Sequence, residues 1–234
     1  SIPSIQIIEM SNNLELTEPY KSYLQKLKFW NNKLEKNSSQ ALVYVNWERE
    51  IMRQFHMKYV PDQVKDIIDV QLYKVIQKLR ESESVDRDQF LRETFISSID
   101  KLELEFGNNY DNWVYGQDKY KHIKVKHPLE SVVNDSVNKI LSFISYPRGG
   151  NAYTPGSTGS NLSQSSGATF RVIIDTEDWD NSVASNAPGQ SGNPDSKFYR
   201  NLYKDWADDK YFNLLYSKEE ILKNLHKREI FYPN

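Results

Sequence analysis

Gly167-Ala168-Thr169-Phe170-Arg171-Val172-Ile173-Ile174-Asp175 and, beyond it, Pro188-Gly189-Gln190-Ser191-Gly192-Asn193-Pro194-Asp195-Ser196-Lys197-Phe198-Tyr199 decide how this chain reads. From Thr169 to Asp175 the first run is short, β-branched and apolar, the pattern of a buried strand. Ser182-Val183-Ala184 is placed to pair with it. The second run reads as a corner. Gly189 and Gly192 admit positive φ in a tight turn, and Asn193-Pro194 keeps the chain extended. Asp195 or Ser196 then caps a helix that runs through about Ala207. Tyr199, Leu202, Tyr203 and Trp206 would form the apolar stripe of that helix, so the corner is structural and not a reaction centre. Further on, Tyr211 to Tyr216 looks extended, Ser217 caps a short helix, and Glu229-Ile230-Phe231-Tyr232 reads as a last strand.

Working outward, glycine placement divides the 234 residues, because seven of the nine glycines lie between Gly149 and Gly192. Long, weakly interrupted elements are expected before them, and strands and turns after. Apolar residues recur at three- and four-residue steps in four stretches. These are Tyr20, Tyr23, Leu24, Leu27, Trp30 and Leu34; Tyr44, Trp47, Ile51 and Phe55; Val64, Ile67, Ile68, Leu72, Val75, Ile76 and Leu79; and Leu91, Phe95, Ile99, Leu102 and Phe106, opened by a cap at Asp86. They predict four amphipathic helices in an antiparallel bundle or layer, with a shorter helix over Val132 to Phe143. Residues 151–170 carry no charge, and 14 of the 20 are Ser, Thr, Asn, Gln or Gly. That stretch is expected to be loop-rich and to build no core of its own. The organisation is thus a mostly helical region over 1–145 and a strand- and turn-rich part over 146–234, one continuous fragment of a larger domain. So few strands make no stable sheet alone, which points to a sheet completed by other polypeptide.

Composition excludes several kinds of chemistry. There is no cysteine, so disulfides, thiolate nucleophiles and cysteine metal sites are out. The four histidines are scattered without ligand spacing. A net charge of −2, from 30 basic and 32 acidic residues, gives no electrostatic footprint for nucleic acid or for a membrane surface. No apolar run approaches the ~20 residues of a membrane span. The basic run Lys119 to Lys126 reads as a charged strand edge, and His122 and His127, with lysines between them, as part of that exposed edge.

The quoted block closely resembles the C-terminal signature of the penicillin acylase (penicillin amidase) family. There a strand of the type GASxRxVxD precedes a PGQSGxPxSxxY turn and helix. Asp205-Trp206 and Tyr211-Phe212-Asn213-Leu214-Leu215-Tyr216 resemble the stretch that follows. Trp113-Val114-Tyr115-Gly116, His127-Pro128-Leu129 and Pro147-Arg148-Gly149-Gly150 fall in family order. Leu27-Lys28-Phe29-Trp30, Asn37-Ser38 and Ala41 through Trp47 resemble the family's upstream helical pair. Lys197-Phe198 and Asn193 depart from its usual residues.

The resemblance implies an α+β fold: a helix-rich part plus outer strands of the αββα sandwich of N-terminal-nucleophile hydrolases, incomplete in this chain. It implies a self-processed precursor whose new N-terminal serine attacks an amide, with its own α-amino group as base. Nucleophile, oxyanion asparagine and most calcium ligands lie upstream of these motifs in the family. The chain is therefore expected to be the C-terminal portion of the large (beta) chain, inactive by itself and without a cofactor or metal of its own. Its partners would be the rest of the large chain and the small (alpha) chain, and its substrate an N-acylated amine. Unless a partner covers the sheet, the segment is expected to form a homodimer or to be marginally stable.

Several residues imitate a site. Ser1 is chain-terminal, but Ile2-Pro3 replaces the family's neighbours. Ser11-Asn12-Asn13 mimics the nucleophile tripeptide, yet helices follow it. Gly189-Gln190-Ser191-Gly192 approaches a nucleophile elbow but has Asn193 where glycine is required. Asp175, at the end of the core strand, is the supporting candidate, since some acylases place a carboxylate at a comparable strand end to orient a histidine. A turn-capping aspartate is the alternative. Asp175, Glu177, Asp178 and Asp180 lack EF-hand spacing and read as a solvated turn. Two rival functions accompany the amidohydrolase reading: a catalytically silent helical binding or scaffold module derived from the same fold, and a serine hydrolase using Ser191.

Overall fold

Helices α3 (Ser39–Tyr59) and α5 (Ser84–Phe106) are the long elements, and each turns its apolar stripe to the other. The computed structural model describes residues 1–117, 122–159, 163–226 and 229. Trp47, Ile51, Leu91, Phe95 and Ile99 are all at 0% exposure. Each such side chain contributes about 1.5–3 kcal/mol on burial. Ser38 starts α3 by accepting a hydrogen bond from the Ala41 N–H at 3.1 Å. Around this pair lie α1 (Ile2–Met10), α2 (Tyr20–Lys28) and α4 (Leu72–Glu81). Helix α1 was not expected from the sequence, and Pro3 occupies its first turn, where a missing N–H costs nothing.

Three helix boundaries differ from expectation. Helix α2 stops at Lys28, and Trp30 and Leu34 are buried from the connection that follows it. The third stripe breaks: residues Asp62–Val64 form one 3-10 turn, Ile67 is 81% exposed, and regular helix begins at Leu72. Helix α5 begins two residues before Asp86, behind Glu83, so Asp86 favours the first turn by its charge and not as a cap.

Contacts group the chain into two units, residues 1–122 with 147–164, and residues 123–146 with 165–234. In the first, the polar segment 147–159 is threaded onto the helices. Gly149 sits so close that a Cβ on it would lie 2.2 Å from the Leu34 carbonyl oxygen. The Gly150 N–H donates to that same carbonyl at 2.8 Å. Tyr115 Oη donates to the Gly150 carbonyl at 2.7 Å.

The second unit holds α6 (Asp135–Leu141), α7 (Tyr203–Ala207), α8 (Lys218–Lys223) and three strands, β1 (Arg171–Ile173), β2 (Val183–Ser185) and β3 (Phe212–Asn213). The sheet is antiparallel in the order β1-β2-β3, with Val172 opposite Ala184 and Ala184 opposite Phe212. Ile123, Ala187, Tyr203, Trp206 and Ala207 form its small core. Ser217 caps α8, as the sequence predicts, by accepting from the Glu220 N–H at 3.2 Å.

Corrections accumulate here. The β1 run is a strand but is not buried: Val172, Ile173 and Ile174 are 45%, 57% and 55% exposed. The helix expected from Asp195 begins only at Tyr203. Asn193 Oδ1 takes the Asp195 N–H and Ser196 Oγ the Phe198 N–H, so side chains hold consecutive turns where helical hydrogen bonds would have formed. His122 is buried, and residues 122–126 form no strand. The rest of the expected basic strand, and the last strand apart from Glu229, fall outside the described residues.

Candidate functional site

The corner at residues 187–202 is built around one close approach. A Cβ on Gly189 would meet the Phe198 carbonyl oxygen at 2.2 Å and that of Tyr199 at 2.7 Å. Gly189 is therefore required for space. Neither it nor Gly192 has positive φ, which corrects the turn chemistry expected of both. The same Phe198 carbonyl accepts from the N–H groups of Gln190 and Ser191, at 2.9 and 3.2 Å. So closed, the corner aims two side chains at the end of α6. Tyr199 Oη donates to the Leu141 carbonyl, and Arg200 donates to the carbonyls of Ile140 and Ser142. A guanidinium at a helix C-terminus satisfies orphan carbonyls and complements the dipole. Gly189→Ala should cost about 1–3 kcal/mol, while Gly192→Ala, with open space around it, should be near neutral. Paired denaturant melts of the two variants check this.

The serines singled out are engaged by backbone. Ser191 Oγ accepts from the Asn193 N–H at 3.1 Å. Ser11 Oγ donates to the Ile8 carbonyl at 2.7 Å at the end of α1. Ser1 leads into a helix, and its ammonium donates to the Asn32 carbonyl at 2.7 Å. Asp175 lies at the end of β1, where its Oδ1 accepts from the N–H groups of Glu177 and Asp178 at 2.9 and 3.1 Å, the geometry of a turn cap. Asp178 takes the Asp180 N–H, and Asp180 takes those of Tyr216 and Ser217. Asp175, Asp178 and Asp180 thus spend oxygens on turns and on the start of α8. Among the described residues there is no grouping of three His, Asp or Glu side chains able to hold a metal. Within the first unit these contacts do not join Ser1 to Ser11, and within the second they do not join Ser191 to Asp175.

Two buried carboxylates were missed by the sequence reading. Glu50, on α3, accepts from Arg53, Gln54, Ser97 and Lys101. Burial alone would push its carboxyl up, but these donors outweigh it and hold the group far below the usual carboxylate range. It borders a groove of about 650 Å³ lined also by Asn46, Arg49, Leu104 and Glu105, which contains neither serine nor histidine. Glu48 is the opposite case. It is 6% exposed, accepts from Tyr44 Oη at 2.5 Å, and has Asn151 Nδ2 at 3.5 Å from its other oxygen. Burial raises its pKa to about 7 against the opposing pull of the Tyr44 hydrogen bond and the Ser1 ammonium. The available signal was positional, since Glu48 follows Tyr44 by one helical turn on the buried side of α3.

His122 makes a matching neutral group. Burial lowers its pKa to about 4, opposed by its hydrogen bond with the Tyr115 carbonyl at 2.6 Å. The rings of Tyr115 and His122 pack at a tilt of 42°, with centroids 4.1 Å apart. None of these groups forms a nucleophile–base pair in the contacts above.

A family model described as penicillin amidase matches residues 3–223 of this chain. Among curated proteins nothing matches. Of solved structures, a thermostable penicillin G acylase from Alcaligenes faecalis is similar over 99% of this chain and 46% of its own, at 14% identity and a TM-score of 0.51. The chain thus spans less than half the length of that acylase chain. The likeness carries the fold: a helix-rich chain with a small antiparallel sheet, consistent with part of an acylase fold.

Proposed function

The chain belongs to the penicillin amidase family, and we propose that it is the C-terminal segment of the large chain of an amidohydrolase that cleaves linear N-acyl amide bonds. Its role is to supply scaffold. The observation that carries this is one face of the three-stranded sheet. Residues directly opposite on antiparallel strands share a face. Val172 and Phe212, on either side of Ala184, therefore point the same way as Phe170 and Ile174. These four are 45%, 40%, 56% and 55% exposed, while Ala184 between them is buried. An apolar sheet face of this kind is one half of a packed layer, as in a sandwich whose other sheet belongs to further polypeptide. The reacting serine, its α-amino base, the oxyanion donors and any calcium ligands are assigned to that further polypeptide, together with the small chain and the N-acyl substrate. The turn and cap duties of Ser11, Ser191 and Asp175 support that division.

Hydrolysis of a chromogenic arylacetyl amide tests it. The 234-residue chain, folded by circular dichroism, is expected to be inactive. The full-length gene product is expected to be active and to keep its activity in Ser11→Ala and Ser191→Ala. Activity of the chain alone, abolished by changing Ser1, Ser11 or Ser191, would overturn the proposal. A folded but silent full-length product would favour the alternative, a scaffold module that kept the fold without the chemistry.

A further inference from the structure

The ladder geometry shows which backbone groups of β1 have no strand beside them. The Leu214 N–H donates to the Ser182 carbonyl at 2.8 Å, and by the β2–β3 register these two residues stand opposite. Main-chain groups alternate in direction along an antiparallel ladder. Ser182 and Ala184 therefore face β3, and Val183 and Ser185 face β1. On β1, Arg171 and Ile173 stand opposite Ser185 and Val183 and face β2. The Asp175 N–H keeps that direction, donating to Ser182 Oγ at 3.0 Å. Phe170, Val172 and Ile174 therefore turn their N–H and C=O groups to the open edge, where no strand pairs with them among the described residues.

The two edges of this sheet differ in kind. Edges that face water are kept short or carry charge or proline. The β3 edge is two residues long and includes Asn213. Along β1, Val172-Ile173-Ile174 is an uninterrupted β-branched run that carries apolar groups to both faces, the composition of an interior strand. Arg171, the one charge in it, is turned inward to Asp209 and the Trp206 carbonyl.

We propose that β1 is an interior strand in the assembled protein. A strand from the remaining acylase polypeptide adds along its open edge and exchanges main-chain hydrogen bonds with Val172 and Ile174. This rests on the scaffold reading above, and it names the partner and the residues it meets. The comparable acylase chain extends over more than twice the matched length, which is ample to supply a strand. The pairing is strand addition, in which backbone hydrogen bonds give affinity and alternate side chains give register.

Residue-resolved amide hydrogen exchange on the 234-residue chain and on the full-length gene product tests the pairing. The Arg171 and Ile173 amides are expected to be slow in both. Those of Val172 and Ile174 should be fast in the chain alone and about a hundredfold slower or more in the full-length product. Equal rates in the two would overturn the proposal. Protection in the chain alone would overturn it too, pointing to a second copy if it grows with concentration and to the chain's own residues if it does not. Val172→Pro removes an outward N–H and no hydrogen bond of the β1–β2 ladder, a change an edge strand tolerates and an interior strand does not, so it should leave the melting temperature of the chain alone within a few degrees and lower that of the full-length product. Unfolding of the chain alone by that change would also count against the pairing. An edge protected in a product without amidase activity would sink the functional reading and leave the pairing standing. Amidase activity with an unprotected edge would do the reverse.

Discussion

Trp47→Ala is expected to lower the unfolding free energy of the helical unit by about 3–5 kcal/mol, the largest effect of any single truncation considered. Trp47 sits at 0% exposure on α3 and meets Phe95 of α5 edge to face, with ring centroids 4.9 Å apart and an interplanar angle of 73°. Its Nε1 donates to Thr94 Oγ1 at 3.1 Å, and that hydroxyl in turn donates to the carbonyls of Phe90 and Leu91. Truncation removes the largest buried area on α3, opens a cavity against a helix that cannot collapse into it, and leaves the Thr94 hydroxyl without its indole donor. Trp179→Ala provides the contrast, because Trp179 is 53% exposed and its ring rests against Tyr216 at the surface. That change should cost less than about 1 kcal/mol. Urea melts followed by far-ultraviolet circular dichroism compare the two directly. A Trp47→Ala cost as small as that of Trp179→Ala would mean that α3 and α5 do not form the core of this chain.

The parts of the fold that were legible are those where periodicity and burial coincide. Tyr44, Trp47, Ile51 and Phe55 repeat at helical steps and lie inside α3, and Leu91 through Phe106 does the same for α5. The stripe continued from Val64 into Leu72 could not be divided by period alone, because Ile67 and Ile68 keep the spacing but lie outside any regular helix. Around Tyr199 the reverse happened. Tyr199, Tyr203 and Trp206 are buried at the expected positions, but the residues up to Leu202 are turns, since Asn193 and Ser196 offer the backbone closer partners than the next helical carbonyl. The acylase block was legible as a signature, and the family match bears out that identification. Its physical content was only half visible. That Gly189 needs space depends on where the Phe198 carbonyl lies, and no local pattern encodes that. The same holds for Glu48, whose buried carboxylate meets Asn151 from far along the chain.

Glu48 should make the helical unit less stable as pH rises through neutrality, by about 3 kcal/mol between pH 4.5 and 8. The sign follows from proton binding. In the unfolded chain the carboxyl titrates near its ordinary value of 4.5, and in the folded chain near about 7. Between those values the folded state holds a proton that the unfolded state has released. The stabilisation is complete below about pH 4.5 and is gone once the pH has passed about 7. Tyr44, Tyr115 and Tyr153, whose hydroxyls feel the Glu48 charge, stay neutral throughout, because each is raised above its ordinary pKa, chiefly by burial. The Ser1 ammonium attracts the ionised form and works against the upward shift. His122 acts in the opposite direction over part of the same window. Its folded pKa of about 4 lies below the ordinary 6.5, so it withholds a proton that the unfolded chain would take, and stability falls as pH drops from 6.5 toward 4. The two groups oppose each other in the wild type, and a single pH profile would conceal both. Glu48→Gln separates them, because it keeps the side-chain shape and removes the charge while leaving His122 unchanged. The variant should equal the wild type near pH 4.5 and exceed it by about 3 kcal/mol at pH 8, measured by urea denaturation at each pH. A constant difference across that range would mean that Glu48 is ionised in the folded chain at every pH tested, and that the Tyr44 and Asn151 contacts hold a carboxylate.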